Sequence, residues 1–207
     1  MFSSYFYCLY TVAMQNRQQL RTEIRRRRMA LTANEQQQAA TALVKRVLGQ
    51  PTLMAQQHVA LYLSNDGEIN TAPLIQALLA AGKNLYLPVL HPFASGYLLF
   101  QHYQAQTPLQ PNRFGIAEPV LNCAEVKPVP ELEVIFTPLV AFDSQGQRLG
   151  MGGGFYDRTL AQLPVNHTTA IVGLAHSCQQ VAAVPVEPWD QPLDAIVTPD
   201  HYFQFRA

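Results

Sequence analysis

Between Arg148 and Arg158 the chain reads RLGMGGGFYDR. Gly150, Gly152, Gly153 and Gly154 leave the backbone bare, and Phe155, Tyr156 and Asp157 follow at once. Placed between a strand and a helix, such a stretch presents free N–H groups and the positive end of a helix dipole to an anion, of which phosphate is the obvious one. Glycine matters because a side chain would hold phosphate oxygens away and because strained turns cost it little. Arg148 supplies a cation for phosphate, Tyr156 a ring that stacks or hydrogen-bonds, and Asp157 a hard oxygen for magnesium. Asp157 would serve equally as the acid in a helix's first turn, and the glycines as a tight connection without a ligand. The loop is neither Walker A, because Phe155 and not Lys follows the last glycine, nor GxGxxG, because its spacing differs.

The elements around this loop follow from periodicity and punctuation. Arg17, Arg21, Arg25 and Arg28 recur at helical spacing beside Leu20, Ile24 and Leu31, which predicts a first helix with an arginine edge. That edge reads as a solvated face from composition alone. TANE, Thr32 to Glu35, has the form of a capping box opening a second helix that ends near Gly49 and Pro51. HVALYLS and NLYLPVL read as buried strands, joined through a helix that carries Pro73 in its first turn and ends at Gly82. Strand, helix and strand of this length predict a right-handed crossover in a parallel sheet. YLLFQHY predicts an antiparallel strand, and the proline-rich stretch from Thr107 to Pro130 a long covering flap. LEVIFTPLVAF, TTAIVGLA and DAIVTPD read as further strands and YDRTLAQL as a short helix. The fold class is therefore α/β: a single domain, mostly parallel sheet flanked by helices, with an N-terminal helical pair.

With 207 residues, 48% of them hydrophobic, the chain is long enough to bury its own core. A formal net charge of +0 provides no field to gather nucleic acid, so any basic site is local. Cys8, Cys123 and Cys178 form no CxxC pattern and suit reduced thiols in a cytoplasm. His176, Ser177 and Cys178 are chain neighbours, a poor arrangement for a nucleophile and its base. The apolar opening MFSSYFYCLYTVA lacks a basic n-region and is too short to span a bilayer. Residues 1–13 read as a disordered extension or a misread start ahead of Met14, and residues 14–207 as one domain.

The stretch FDSQGQRLGMGGGFYDRTL resembles the central motif of the 5-formyltetrahydrofolate cyclo-ligases. RQQLR in the first helix, LSNDGEINT and the closing VEPWDQPLDAIVTP fall in the same order as in that family, so the likeness runs from about Met14 nearly to the end. The resemblance implies an α/β enzyme that uses ATP and Mg2+ to close 5-formyltetrahydrofolate into the 5,10-methenyl form. It implies that Arg17 and Arg21 reach the ATP phosphates, that Arg148, Leu149, Gly150, Met151, Gly152, Gly153, Gly154, Phe155 and Tyr156 form the nucleotide loop, and that Arg148 and Tyr156 serve catalysis. Leu63, Glu68, Phe155 and Tyr156 would line the folate pocket, and Asp157 and Asp194 would ligate magnesium. Met151 and Gly153 stand where many relatives carry Arg or Lys, and Phe155 where Tyr is usual, so fewer cations would touch the phosphates.

Other readings make different demands. A small-molecule kinase would leave phosphate on a stable product, whereas a cyclo-ligase releases it. A non-catalytic folate- or nucleotide-binding module would not turn over. RNA binding through Arg25 to Arg28 would depend steeply on salt. The expected protein is a cytoplasmic monomer acting on two small molecules, with no nucleic-acid or membrane partner.

Overall fold

The computed structural model describes residues 17–206; the reading of residues 1–13 lies outside the described residues. Within them the first helix, α1, covers residues 17–29. Thr32 caps α2 (Ala33–Leu48) as TANE predicts: the Glu35 N–H donates to Thr32 Oγ1 at 3.3 Å and the Thr32 N–H to the Glu35 carboxylate at 2.8 Å. Gly49 ends that helix, and Pro51 opens the one-turn α3 (Pro51–Met54).

The first half of the remaining chain forms β1 (His58–Ala60), α4 (Ala72–Ala80), β2 (Asn84–Leu90), β3 (Leu98–Tyr103), β4 (Leu109–Pro111), β5 (Ala117–Pro119) and β6 (Val126–Lys127). The second half forms β7 (Val134–Thr137), β8 (Ala141–Phe142), β9 (Arg148–Leu149), α5 (Phe155–Leu160), β10 (Ala170–Leu174), β11 (Ala195–Val197) and β12 (Tyr202–Gln204). Eight of these strands share one sheet in the order β12-β11-β10-β7-β1-β2-β3-β6. The pairs from β11 through β10, β7 and β1 to β2 are parallel, while β12, β3 and β6 pair antiparallel at the two edges.

Strand alternation explains why both faces are apolar. Val134 and Phe136 join Leu43 and Val47 of α2 and Leu74 and Leu78 of α4 in one core, while Ile135 points into a second core with Leu160 of α5 and Ile196 of β11. Ile24 of α1 closes a third cluster with Val140, Ala141 and Leu149 beneath the glycine stretch.

Two features depart from the sequence reading. LEVIFTPLVAF is not one strand: β7 stops at Thr137, and the chain turns through Pro138 and Leu139 before β8, which pairs with β9 in a separate hairpin. The proline-rich flap is not irregular throughout, because β4 and β5 pair within it. From β1 the chain goes to β2 on one side and later to β7 on the other. The order therefore reverses beside β1, and the crevice at the carboxyl ends of the strands at such a point is where α/β sheets receive ligands.

Candidate active site

A cleft of about 530 Å³ opens at that crevice. Tyr62 and Leu63 line it from the end of β1, Leu87, Pro88 and Leu90 from β2, and Pro138 and Leu139 from beyond β7. The glycine loop contributes Gly150, Met151, Gly153 and Gly154, followed by Phe155, Tyr156 and Asp157 from α5. The volume suits a small-molecule site.

The loop is held from both sides. Arg21 of α1 donates from Nε to the Gly150 carbonyl at 2.9 Å, and Arg158 donates to the Gly153 carbonyl at 2.7 Å. Gly152 adopts φ +99°, and a Cβ there would stand 3.5 Å from the Arg21 guanidinium carbon. At Gly153 the constraint is space, since a Cβ would fall 2.8 Å from the Phe155 ring. Gly154, at φ +65°, turns the chain into α5. Both backbone carbonyls are thus tied back by arginines, which carry positive charge to the loop.

Arg148 is only 4% exposed and donates to Asp157 Oδ1 at 2.7 Å; its Nε has no partner among the described residues. Burial lowers its affinity for the proton, and Asp157 restores part of it. Asp157 Oδ1 also accepts from the Gln191 N–H at 3.2 Å, which leaves Oδ2 without a protein donor among the described residues. Arg17 makes a two-point contact with Asp190, at 2.8 and 3.2 Å, and donates to the Pro185 carbonyl at 2.9 Å. The bond to Asp190 raises the pKa of Arg17, whereas burial lowers that of Arg21, which faces no carboxylate at bonding distance among the described residues.

Glu68 and Tyr156 supply the buried acids of the cleft. Burial raises the Glu68 carboxyl to about 7, against the opposing hydrogen bond from the Asn65 N–H at 3.0 Å and the positive charge of Arg28. The Tyr156 hydroxyl is buried without a partner among the described residues, and burial first, then the neighbouring Glu68, pushes its pKa above the usual phenol range. Tyr156 OH and Arg148 Nε are polar atoms withdrawn from water with no partner among the described residues, the state expected of groups that await a ligand.

The arginine edge of α1 is not the solvated face that composition suggests. Arg28 is 0% exposed; its guanidinium reaches the Asp66 carboxylate at 2.6 Å, the Asp66 carbonyl at 2.8 Å and the Leu139 carbonyl at 3.3 Å. Arg25 grips the same carboxylate at 2.6 and 2.8 Å and lines the cleft. Neither arginine, nor Asp66, is singled out as a site residue by the sequence. The available signal was the helical spacing of Arg25 and Arg28 with Arg17 and Arg21, together with Asp66 in LSNDGEINT.

The predicted residues divide accordingly. Leu63, Glu68, Arg148, Gly150, Met151, Gly153, Gly154, Phe155, Tyr156 and Asp157 share the cleft. Leu149 is wholly buried beneath the loop, packed on Ile24, so it supports the loop from behind. Arg17 and Arg21 reach the outer side of the loop and its flank, not the cleft wall. Asp194 is not brought together with the others: it lies ahead of β11, toward the amino ends of the parallel strands and away from the cleft. Its Oδ2 accepts from the Ile171 N–H at 2.8 Å and its other oxygen faces Arg206 at 3.5 Å, so Asp194 ties the sheet edge and does not meet Asp157. Among the described residues no group of three or more His, Cys, Asp or Glu side chains is placed to hold a metal.

The cleft at the strand ends, the glycine loop that borders it and the buried Glu68 carboxyl make an α/β fold with a site shaped for small molecules. Residues 13–199 match the model of the 5-formyltetrahydrofolate cyclo-ligase family, and the chain belongs to that family. It is 54% identical over 179 residues to the 5-formyltetrahydrofolate cyclo-ligase of Haemophilus influenzae, a match covering 86% of this chain and 95% of the relative. The Escherichia coli enzyme of the same name is 50% identical over 182 residues, 88% of this chain and 100% of its own. Among solved structures, the 5,10-methenyltetrahydrofolate synthetase of Aquifex aeolicus superposes with a TM-score of 0.79 at 29% identity, over 92% of this chain and 93% of that one.

Proposed function

We propose that the protein catalyses the ATP-dependent cyclisation of 5-formyltetrahydrofolate to 5,10-methenyltetrahydrofolate, with release of ADP and phosphate. The observation that carries this reading is the meeting of the glycine loop with Glu68, Leu63 and Tyr156 in one cleft, so that nucleotide and folate would lie side by side.

A formamide oxygen is a poor leaving group, and the reaction needs it phosphorylated first. The formyl oxygen attacks the γ-phosphorus as ADP departs. The N10 amine of the same molecule then attacks the activated carbon, the C–O bond breaks to release phosphate, and loss of the N10 proton completes the methenyl cation. No protein nucleophile is needed. The chain's task is to orient and to stabilise charge. In this reading the loop N–H groups and Arg148 face the phosphates, Arg21 adds its charge from behind the loop, and Glu68 lies against the pterin, where an anionic carboxylate stabilises the cationic product. Phe155 and Tyr156 hold the rings so that the tethered amine stays aligned, an arrangement equivalent to an effective molarity on the order of 10⁵ M.

Magnesium binds through one or two carboxylates with phosphate oxygens and water as its remaining ligands. Asp157 meets that requirement through Oδ2, and it would hold the ion whose charge offsets that of the phosphates. The reading carries with it a cytoplasmic, monomeric enzyme with no nucleic-acid partner. Among the described residues no helix is long and apolar enough to cross a membrane.

The test is incubation of 5-formyltetrahydrofolate with and without Mg-ATP, followed by methenyl absorbance and free phosphate. Nucleotide-dependent methenyl formation with one phosphate per turnover is expected. Folded protein giving no methenyl signal overturns the reading, and phosphate retained on the product favours a kinase.

A further inference from the structure

The cations around the cleft are unequal in one respect. Arg17, Arg25, Arg28 and Arg148 each face a carboxylate of the chain, at 2.6 to 2.8 Å. Arg113, at the tip of the β4–β5 hairpin, has no carboxylate and no hydrogen-bond partner among the described residues. Its contacts are aromatic: the guanidinium carbon lies 5.0 Å from the centre of the Phe114 ring and 6.0 Å from that of Phe155. These rings meet edge to face at 5.7 Å and 83°, and both line the cleft. Arg113 therefore stands on its rim, over an aromatic wall.

The hairpin is fastened to the sheet well enough to hold that position. Glu118 is buried, and its Oε2 accepts from the Leu90 N–H at 3.0 Å and from Asn112 Nδ2 at 3.2 Å. Asn112 Oδ1 in turn accepts from the N–H groups of Phe114 at 2.9 Å and Ile116 at 3.2 Å, so the turn carrying Arg113 is tied at both sides. Phe114 remains 54% exposed, which leaves its ring open to a ligand.

We propose that Arg113 receives the glutamyl carboxylates of the folate substrate, and so selects for a carboxylate tail on a flat aromatic molecule. The inference rests on the function proposed above. The substrate consists of a pterin, an aminobenzoyl ring and a glutamyl group. With the pterin toward Glu68 and the benzoyl ring beside Phe114 and Phe155, the tail emerges at the rim. An unpaired guanidinium there offers a planar donor fork that matches a carboxylate. Its stacking on two rings fixes the fork without neutralising its charge. The phosphates of ATP are the other anion within reach, because Phe155 also borders the glycine loop.

The test compares Arg113→Ala with the parent on three ligands: 5-formyltetrahydrofolate, its analogue lacking the glutamyl group, and ATP. The expected result is a rise of about fivefold in KM for the full substrate, as suits a charge pair at a solvent-exposed rim, with kcat unchanged. The analogue should bind the two proteins equally, the KM for ATP should not move, and Arg113→Lys should recover part of the loss. An equal rise for the analogue, or a rise confined to ATP, overturns the assignment. Fluorescence titration of folate binding without nucleotide reads Arg113 independently of turnover: equal affinities for variant and parent also overturn it. Failure of the parent to form methenyl product counts against the proposed function alone.

Discussion

The Arg28 guanidinium, with no exposure to solvent, meets the Asp66 carboxylate at 2.6 Å. Asp66 sits at φ +51°, a left-handed conformation that Asn tolerates about as well. Asp66→Asn therefore removes the charge without straining the turn and leaves Arg28 uncompensated in the interior. The expected loss is about 3 kcal/mol in urea unfolding, in line with other broken buried pairs, and Arg28→Met should be less harmful in the Asn background than in the parent. Additive effects would show that the two residues are independent. The bond from Arg25, followed by that from Arg28, holds the Asp66 pKa below the usual value, so this stabilisation is present above about pH 3.9 and disappears as pH falls through the folded-state value. Asp66→Asn should lack that acid limb.

Glu68 has the opposite sign. Its carboxyl titrates near about 4.3 when unfolded and at about 7 when folded, so across that interval the folded state holds the proton more strongly. Rising pH then removes stability until about 7, and the penalty stays constant above. Glu68→Gln should match the parent near pH 4 and melt at a higher temperature at pH 8, while its KM for the folate rises and that for ATP does not. Identical melting profiles at pH 8 would contradict the burial of this charge.

Gly152 and Gly153 should fail in different ways. Gly153→Val brings side-chain atoms into the Phe155 ring, so the expected effect is at least a tenfold loss of ATP affinity with little change in melting temperature. Gly152→Ala forces a side chain into φ +99°, and the strain should cost about 1 to 3 kcal/mol of stability. Titration with ATP and thermal melting separate the two; normal ATP binding by Gly153→Val would remove the loop from the nucleotide site.

Asp157 and Asp194, both metal ligands by the family resemblance, should also separate. Asp157→Asn should raise the magnesium concentration needed for turnover, because an amide is a weaker ligand for a hard cation. Asp194→Ala should leave the magnesium titration unchanged and cost about 1 to 3 kcal/mol, by stranding the Ile171 N–H that its carboxylate now accepts. A shifted magnesium titration in Asp194→Ala would restore it to the site.

These contrasts mark what the sequence could reveal. The α2 cap was legible because Thr32 and Glu35 contain the whole interaction within four residues. Gly150 to Asp157 were legible because bare backbone followed by an acid is a local pattern. Arg28 was not, since a run of four arginines gives no sign of which one turns inward until Asp66 and Leu139 are placed against it. Asp194 was misplaced for a related reason: motif order along a chain does not say at which end of a strand a residue falls. The break at Pro138 was hidden because one apolar run serves a single strand or two equally well.

The bond from Arg21 to the Gly150 carbonyl spans 129 positions of the chain, and the pair between Arg17 and Asp190 spans 173. The glycine loop is thus braced by a helix made long before it, so during synthesis α1 waits without these partners until most of the polypeptide has emerged. Closing such long loops carries an entropic cost that local contacts do not repay. Bound nucleotide should therefore favour the closed, complete chain by mass action, and a protease cut in α1 should abolish nucleotide binding even where the sheet survives.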